Sequence, residues 1–460
     1  MLGEGRQRER RQVVPKTTSA NVAAVPLEAF DAHVRSGQLA FRPMKIPSGL
    51  ARVAAKSVAV LSGLTLLCTG VSVASASPAA VASSKEAASC ASNQVAVAAD
   101  VCVAKGNPRA SKALATIRAL QSQYSLKSVI FGAWEGGTQV ISGALGTSYP
   151  GVPATRAMHF RIGNVTETFE TTLLLQLVDQ GKLKLDDPVS KWLPSLPNSD
   201  KVTVGMLANS TAGYASFYTD AWTKAFQADP FRPWTPAELI SISTSQPMDF
   251  APGTSWNFSD SNFVILGQVL AKAGGAPVPQ QIQRLILNPL DLHDTQMTPT
   301  SYIPSPVLHA YDPERGDNQD STFWSISWAP NNGDMTSDLS DLGHWAKTLG
   351  TGALLSAKSR GRQFAPGTVG LGPFTTPKLY YGLGGLVANK WILAEPALIG
   401  YTGTVAYLPA QKLSVVIFTT ANPDAPPGGQ YALSIFNQVA PILAPSSPPE
   451  LPNGLTHLPG

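Results

Sequence analysis

The sequence predicts an α+β fold, an antiparallel sheet flanked by helices with a mainly helical lobe attached. Three observations predict it. Strand-like segments lie at both ends of the body of the chain, with helices and Pro-rich loops between them. A long apolar helix follows the first strands directly. The apolar fraction of 43% suits a buried core, whereas 14% charged residues with 39 Gly and 38 Pro among 460 suits long ordered connections.

Ala113–Tyr124 has helical spacing through Leu114, Ile117 and Leu120. Ser128–Trp134 and Thr138–Leu145 read as strands joined by Glu135-Gly136-Gly137, a hairpin signal. Met158–Ile162 reads as a third strand. Val165 to Gln180 reads as a helix burying Val165, Phe169, Leu173, Leu177 and Val178 and stopped by Gly181. Little strand character follows up to about residue 335, so the helical lobe is placed at about 166–335. Asp338–Leu349 reads as a helix. Strands return at Leu379–Val387, Lys390–Leu393, Thr404–Leu408 and Leu413–Thr420, and Tyr431–Val439 closes the body as a helix. The first and last blocks can share one sheet, with a cleft between sheet and lobe. Residues 77–104, rich in Ala, Ser and Val, read as a linker, and 441–460 as a loose Pro-rich tail.

The leader carries the positive charge. Residues 1–76 hold ten Lys/Arg against four Asp/Glu, which leaves 24 basic and 26 acidic residues in the rest. Nothing in the body calls for nucleic acid. Lys45, Arg52 and Lys56 precede an apolar run from Val58 to Val73, and Ala74-Ser75-Ala76 fits a small-residue cleavage site. Residues 44–76 therefore read as an export signal starting at Met44, with 1–43 an extension or mis-start. The alternative is an uncleaved anchor over about Val53–Val73, the one case that implies membrane contact. Cleavage would leave Cys90 and Cys102, expected to pair in an exported chain, with two free thiols as the alternative. Scattered histidines without ligand spacing argue against a metal, and no cofactor is implied.

The stretch Phe160-Arg-Ile-Gly-Asn-Val-Thr-Glu-Thr-Phe169, continuing to Pro194, strongly resembles the class C β-lactamase and DD-peptidase-like family. Further similar segments follow in family order: Leu207–Gly213, Pro252–Asp260, Asn331–Leu342 and Gly400-Tyr-Thr-Gly-Thr-Val405. The resemblance covers about residues 105–440 and implies the β-lactamase/transpeptidase-like fold. It also implies a machinery: a serine nucleophile opening a helix, a lysine one turn later, a lobe tyrosine, and a His- or Lys-x-Gly strand that contributes to an oxyanion hole. At these positions the chain has Asn164, Glu167, Phe258 and Tyr401. Asp260 stands where the tyrosine's paired asparagine is usual, and Ser210 replaces a loop histidine. No lysine in the chain has a serine three residues before it.

An amide is not a nucleophile and Phe258 has no proton to give. Asn164 and Glu167 have the spacing of a capping box, which reduces the old nucleophile site to a helix start. A sharper reading has Glu167 and Asp260 facing each other across the cleft, as acid and base or as a seat for a cation or amine. Ser259 and Ser261 lie nearby without a base at useful spacing. The expected cleft lining is Asn164, Glu167, Ser210, Phe258, Asp260, Tyr401, Thr402 and Gly403. Three functions compete: a non-catalytic exported protein binding a cell-envelope peptide, glycan or protein; a hydrolase of esters, amides or β-lactams with altered residues; and a structural module whose cleft is filled.

Overall fold

The computed structural model describes residues 89–451 except 314, 316, 317, 427 and 428. The readings of 1–43 and 44–76 lie outside these residues, as do 77–88 of the linker and 452–460 of the tail.

Residues 94–104 are not linker. They form β1 (Gln94–Ala98) and β2 (Val101–Ala104), paired antiparallel. Cys90 and Cys102 are joined by a disulfide with 5.5 Å between their Cα atoms. Helix α1 (Pro108–Gln123) starts at Asn107, whose side chain accepts from the Ala110 N–H. It buries Ala113, Leu114, Ile117 and Leu120. The Gly136-Gly137 turn joins β3 (Leu126–Glu135) to β4 (Thr138–Tyr149), both glycines at positive φ.

Helix α2 (Val165–Asp179) is buried on every side over its first eleven residues. A helix that cannot show a face to water must satisfy its polar side chains within the protein. Trp345 Nε1 donates to Thr168 Oγ1 at 2.8 Å, Gln363 Nε2 to Thr172 Oγ1 at 3.1 Å, and Thr171 Oγ1 to the Leu383 carbonyl at 3.1 Å. Phe169 stacks on Trp345 at 3.7 Å. These bonds fix the rotation of the helix that begins at Asn164.

The lobe contributes short helices and α3 (Asp260–Gly274), while α4 (Leu339–Thr351) lies in the returning part of the chain. Trp222, Phe226, Trp234, Trp324 and Trp328 form a second apolar cluster in the lobe. The stretch read as one strand at Leu379–Val387 is two, β5 (Leu379–Tyr381) and β6 (Leu386–Ala388), because Gly382 N–H bonds back to the Gly385 carbonyl. Gly384, at φ +68°, sits where a Cβ would meet the Glu167 carbonyl at 2.7 Å; the glycine lets this turn touch α2.

Next come β7 (Trp391–Ala394), β8 (Ala397–Leu398), β9 (Tyr401–Leu408), β10 (Leu413–Ala421) and α5 (Tyr431–Leu443). The sheet order is β1-β2-β4-β3-β10-β9-β7-β6-β5, and β8 also pairs with β9. The first and last strand blocks thus meet at β3 and β10, paired from Leu413↔Glu135 to Ala421↔Leu126. The tail packs back: Trp391 Nε1 donates to the Ser447 carbonyl at 2.7 Å, and Leu451 is buried. An indole that needs an acceptor when buried anchors residues whose composition alone suggested looseness.

Candidate functional site

Helix α2 starts on a tight turn. The Val165, Thr166 and Glu167 N–H groups bond to the carbonyls of Ile162, Gly163 and Asn164. With these donors already satisfied, the capping box does not form: Asn164, at φ −68° and ψ 1°, makes no side-chain cap bond. Its Oδ1 is buried without a partner. Glu167 instead turns into the protein, where its Oε2 accepts from the Tyr381 hydroxyl at 2.8 Å. Burial raises its pKa well above the usual carboxylate range, and Asp260 adds to the rise. Tyr381, also buried, lies 5.7 Å from Trp256 and 6.2 Å from Phe258 between ring centroids.

A pocket of about 240 Å³ opens at Asn164. Phe258 and Asp260 wall it from the lobe, with Asn332 and Trp328; Glu395, Ala397 and Leu398 wall it from the strand side. Asn332 Nδ2 donates to Asp260 Oδ1 at 2.6 Å. Burial raises Asp260 to about 6 against the Asn332 bond, and raises Glu395 to about 8. The pocket therefore gains negative charge across the neutral pH range.

The expected lining is only partly right. Asn164, Phe258 and Asp260 come together. Glu167 is 1% exposed and not among the lining residues, so it does not face Asp260 across open space. Ser210 is fully buried away from the pocket. Tyr401 points its hydroxyl at the Leu308 carbonyl, 2.5 Å away. Tyr401 and Thr402 line a different cavity, of about 770 Å³. Gly403 lines neither.

The cause of that separation is β8. It runs along the start of β9, with Ala397 opposite Thr402 and Leu398 opposite Tyr401. The Pro396 carbonyl takes the Gly403 N–H at 2.8 Å. Pro396 also packs on the helix start: a Cβ on Gly163 would lie 2.7 Å from the Pro396 Cβ. The turn between β8 and β9 has Ile399 at φ +35° and Gly400 at φ +88°. A β-branched residue is strained there. It is held by Ser321 Oγ donating to the Ile399 carbonyl at 2.7 Å.

Glu395, Asn332, Trp328, Tyr218 and Gln430 were not singled out from sequence. Glu395 had a signal, since it is a lone acid in the apolar run Trp391–Tyr401. Asn332 lay inside a quoted segment. Ser261 Oγ is committed to the Phe217 N–H at 3.0 Å, and Ser259 is buried. Among the described residues no group of three or more His, Cys, Asp or Glu could hold a metal ion, and no helix is long and apolar enough to cross a membrane.

A family model described as Beta-lactamase matches residues 114–440. The chain belongs to the beta-lactamase family. Within it, the chain is 30% identical over 153 residues to the D-alanyl-D-alanine-carboxypeptidase/endopeptidase AmpH of Escherichia coli K12, covering 30% of this chain and 37% of that one. It is 28% identical over 147 residues to Esterase EstB of Burkholderia gladioli, covering 29% and 37%. The match spans about half or less of the length of such curated relatives. A D-stereospecific amidohydrolase from Streptomyces sp. superposes with a TM-score of 0.60 at 28% identity, covering 67% of this chain and 94% of that one.

Proposed function

We propose that this member of the beta-lactamase family is an exported, non-catalytic protein that binds a ligand of the cell envelope in the pocket at Asn164. One observation carries this reading. The edge of β9 beside the helix start is occupied by the chain's own Pro396, which holds the Gly403 N–H and packs on Gly163. That strand edge is thus engaged by the chain's own backbone, where the family resemblance implies a strand that contributes to an oxyanion hole. Asn164 and Phe258 compound the loss, since neither can attack a carbonyl or shuttle a proton. The open pocket speaks for a retained binding role against a filled cleft. The test is the full-length protein with a fluorescent penicillin and a fluorophosphonate probe. No covalent adduct is expected; covalent labelling of the protein by either probe overturns the reading.

Asp260 motivates a second reading, hydrolysis by direct activation of water. It lines the pocket, and burial brings it to about 6, in the range of a working general base. A panel of small esters and D-amino amides separates the two. Turnover abolished by Asp260→Asn supports hydrolysis; its absence leaves the binding role.

A further inference from the structure

The walls of the pocket name the ligand class. Two carboxylates reach it, Asp260 from α3 and Glu395 from the bend before β8. Acids alone would be weak ground. The independent observation is a set of buried side-chain oxygens on the same walls that have no hydrogen-bond partner: Asn332 Oδ1, Asn164 Oδ1 and Gln430 Oε1. Asn332 is 3% exposed and Gln430 6%, so water reaches neither freely. The Asn332 amide has a fixed sense, because its nitrogen is spent on Asp260 and its oxygen remains. A buried oxygen without a donor is costly, and a bound donor group would recover that cost. Trp328 and Tyr218 supply aromatic surface, and with Phe258 they leave a small, partly apolar chamber. Carboxylates, orphaned oxygens and aromatic faces together suit a cation that carries several N–H donors. Trp328 Nε1 also has no partner and could take an acceptor on the same molecule.

We infer that the pocket binds a small primary ammonium group, seated between Asp260 and Glu395. This rests on the non-catalytic reading above, in which the pocket keeps its ligand intact. The volume of about 240 Å³ accommodates an aminoalkyl group or the amino end of a peptide, not a folded partner. A metal ion is a poorer fit, since among the described residues no group of three or more His, Cys, Asp or Glu is placed to hold one.

The test uses the full-length protein and n-butylammonium, with n-butanol as neutral isostere, by calorimetry at pH 8. Saturable binding of the ammonium and none of the alcohol is expected. Glu395→Gln and Asp260→Asn should each weaken it about tenfold, the loss of one charge-assisted contact. Gln430→Glu should tighten it, a gain that misfolding cannot imitate. Equal binding of butanol, an unchanged affinity in Glu395→Gln, or displacement by calcium would each overturn the inference. Covalent labelling of the same sample by the fluorophosphonate would sink the non-catalytic reading and leave the ammonium measurement to be judged on its own.

Discussion

Ala397 and Leu398 face two cavities at once, and the two could hardly differ more. On one side is the small chamber of Asn164, with Asp260, Glu395 and unpartnered oxygens. On the other is a space three times larger, lined by Tyr401, Thr402, Gly400 and loop residues around Pro423. In the family resemblance, the helix start and the Tyr401–Gly403 strand belong to one reaction centre. Here a two-residue strand divides them. In the proposed non-catalytic reading, backbone as well as side chains would account for the loss of chemistry, since the helix start and the strand border separate cavities.

The partition can be broken at its turn. A Cβ on Gly400 would lie 2.5 Å from the Tyr311 carbonyl oxygen, on a backbone at φ +88°. Gly400→Ala is expected to cost about 2–3 kcal/mol in urea unfolding, through strain and a backbone clash. A loss below about 0.5 kcal/mol would mean the turn does not lock β8 in place.

The acidic side is sharpened by pH. Burial holds Asp260, bonded to Asn332, at about 6 and Glu395, near Glu167 and Tyr381, at about 8. An ammonium ion needs them ionised. Its affinity should rise by well over tenfold from pH 5 to pH 8, with proton release measurable in buffers of different ionisation enthalpy. A flat profile would remove the carboxylates from the binding account.

The same shift bears on stability with the opposite sense. For an acid whose folded pKa is raised, stability is fully present below its unfolded pKa and declines as pH rises, levelling off above the folded value. For Glu395 that window runs from the ordinary glutamate value of 4.5 to about 8. Glu395→Gln should therefore flatten the fall in Tm between pH 5 and pH 8. An unaltered slope would place the charge elsewhere.

The smallest expected effect is the most informative about the partition. Asn164→Ser with Glu167→Lys and Phe258→Tyr restores the family residues, yet Pro396 still holds the Gly403 N–H. Labelling by a fluorescent penicillin should stay at background. Strong labelling would show that β8 yields readily.

The sequence shows the fold because its signals are local. The Glu135-Gly136-Gly137 turn sets the β3–β4 hairpin, and Phe160–Leu177 has the length and apolarity of a central helix. It hides β1 and β2 because their alternation is written in small residues. Gln94 is the one residue of β1 that is buried. Asn164, Phe258 and Asp260 were legible through their order along the chain. Glu167 was misread because its spacing fits a cap, and the spacing cannot reveal that backbone carbonyls already satisfy the helix start. The separation of Tyr401 and Thr402 from that wall was hidden in Pro396, whose carbonyl acts across the strand pair, a long-range fact that no local pattern carries.

The disulfide has a consequence at the far rim of the sheet. Among the described residues β1 is an edge strand, and it shows Val95 and Val97 to solvent, each 45% exposed. Cys90, just ahead of it, is fastened to Cys102 on the inner neighbour. If the fastening is cut, β1 can fray, and the open backbone of β2 becomes a template for strands of other molecules. Reduced protein should then scatter light on standing at concentrations where oxidised protein stays clear, so that this bond governs colloidal behaviour in a region remote from the pocket.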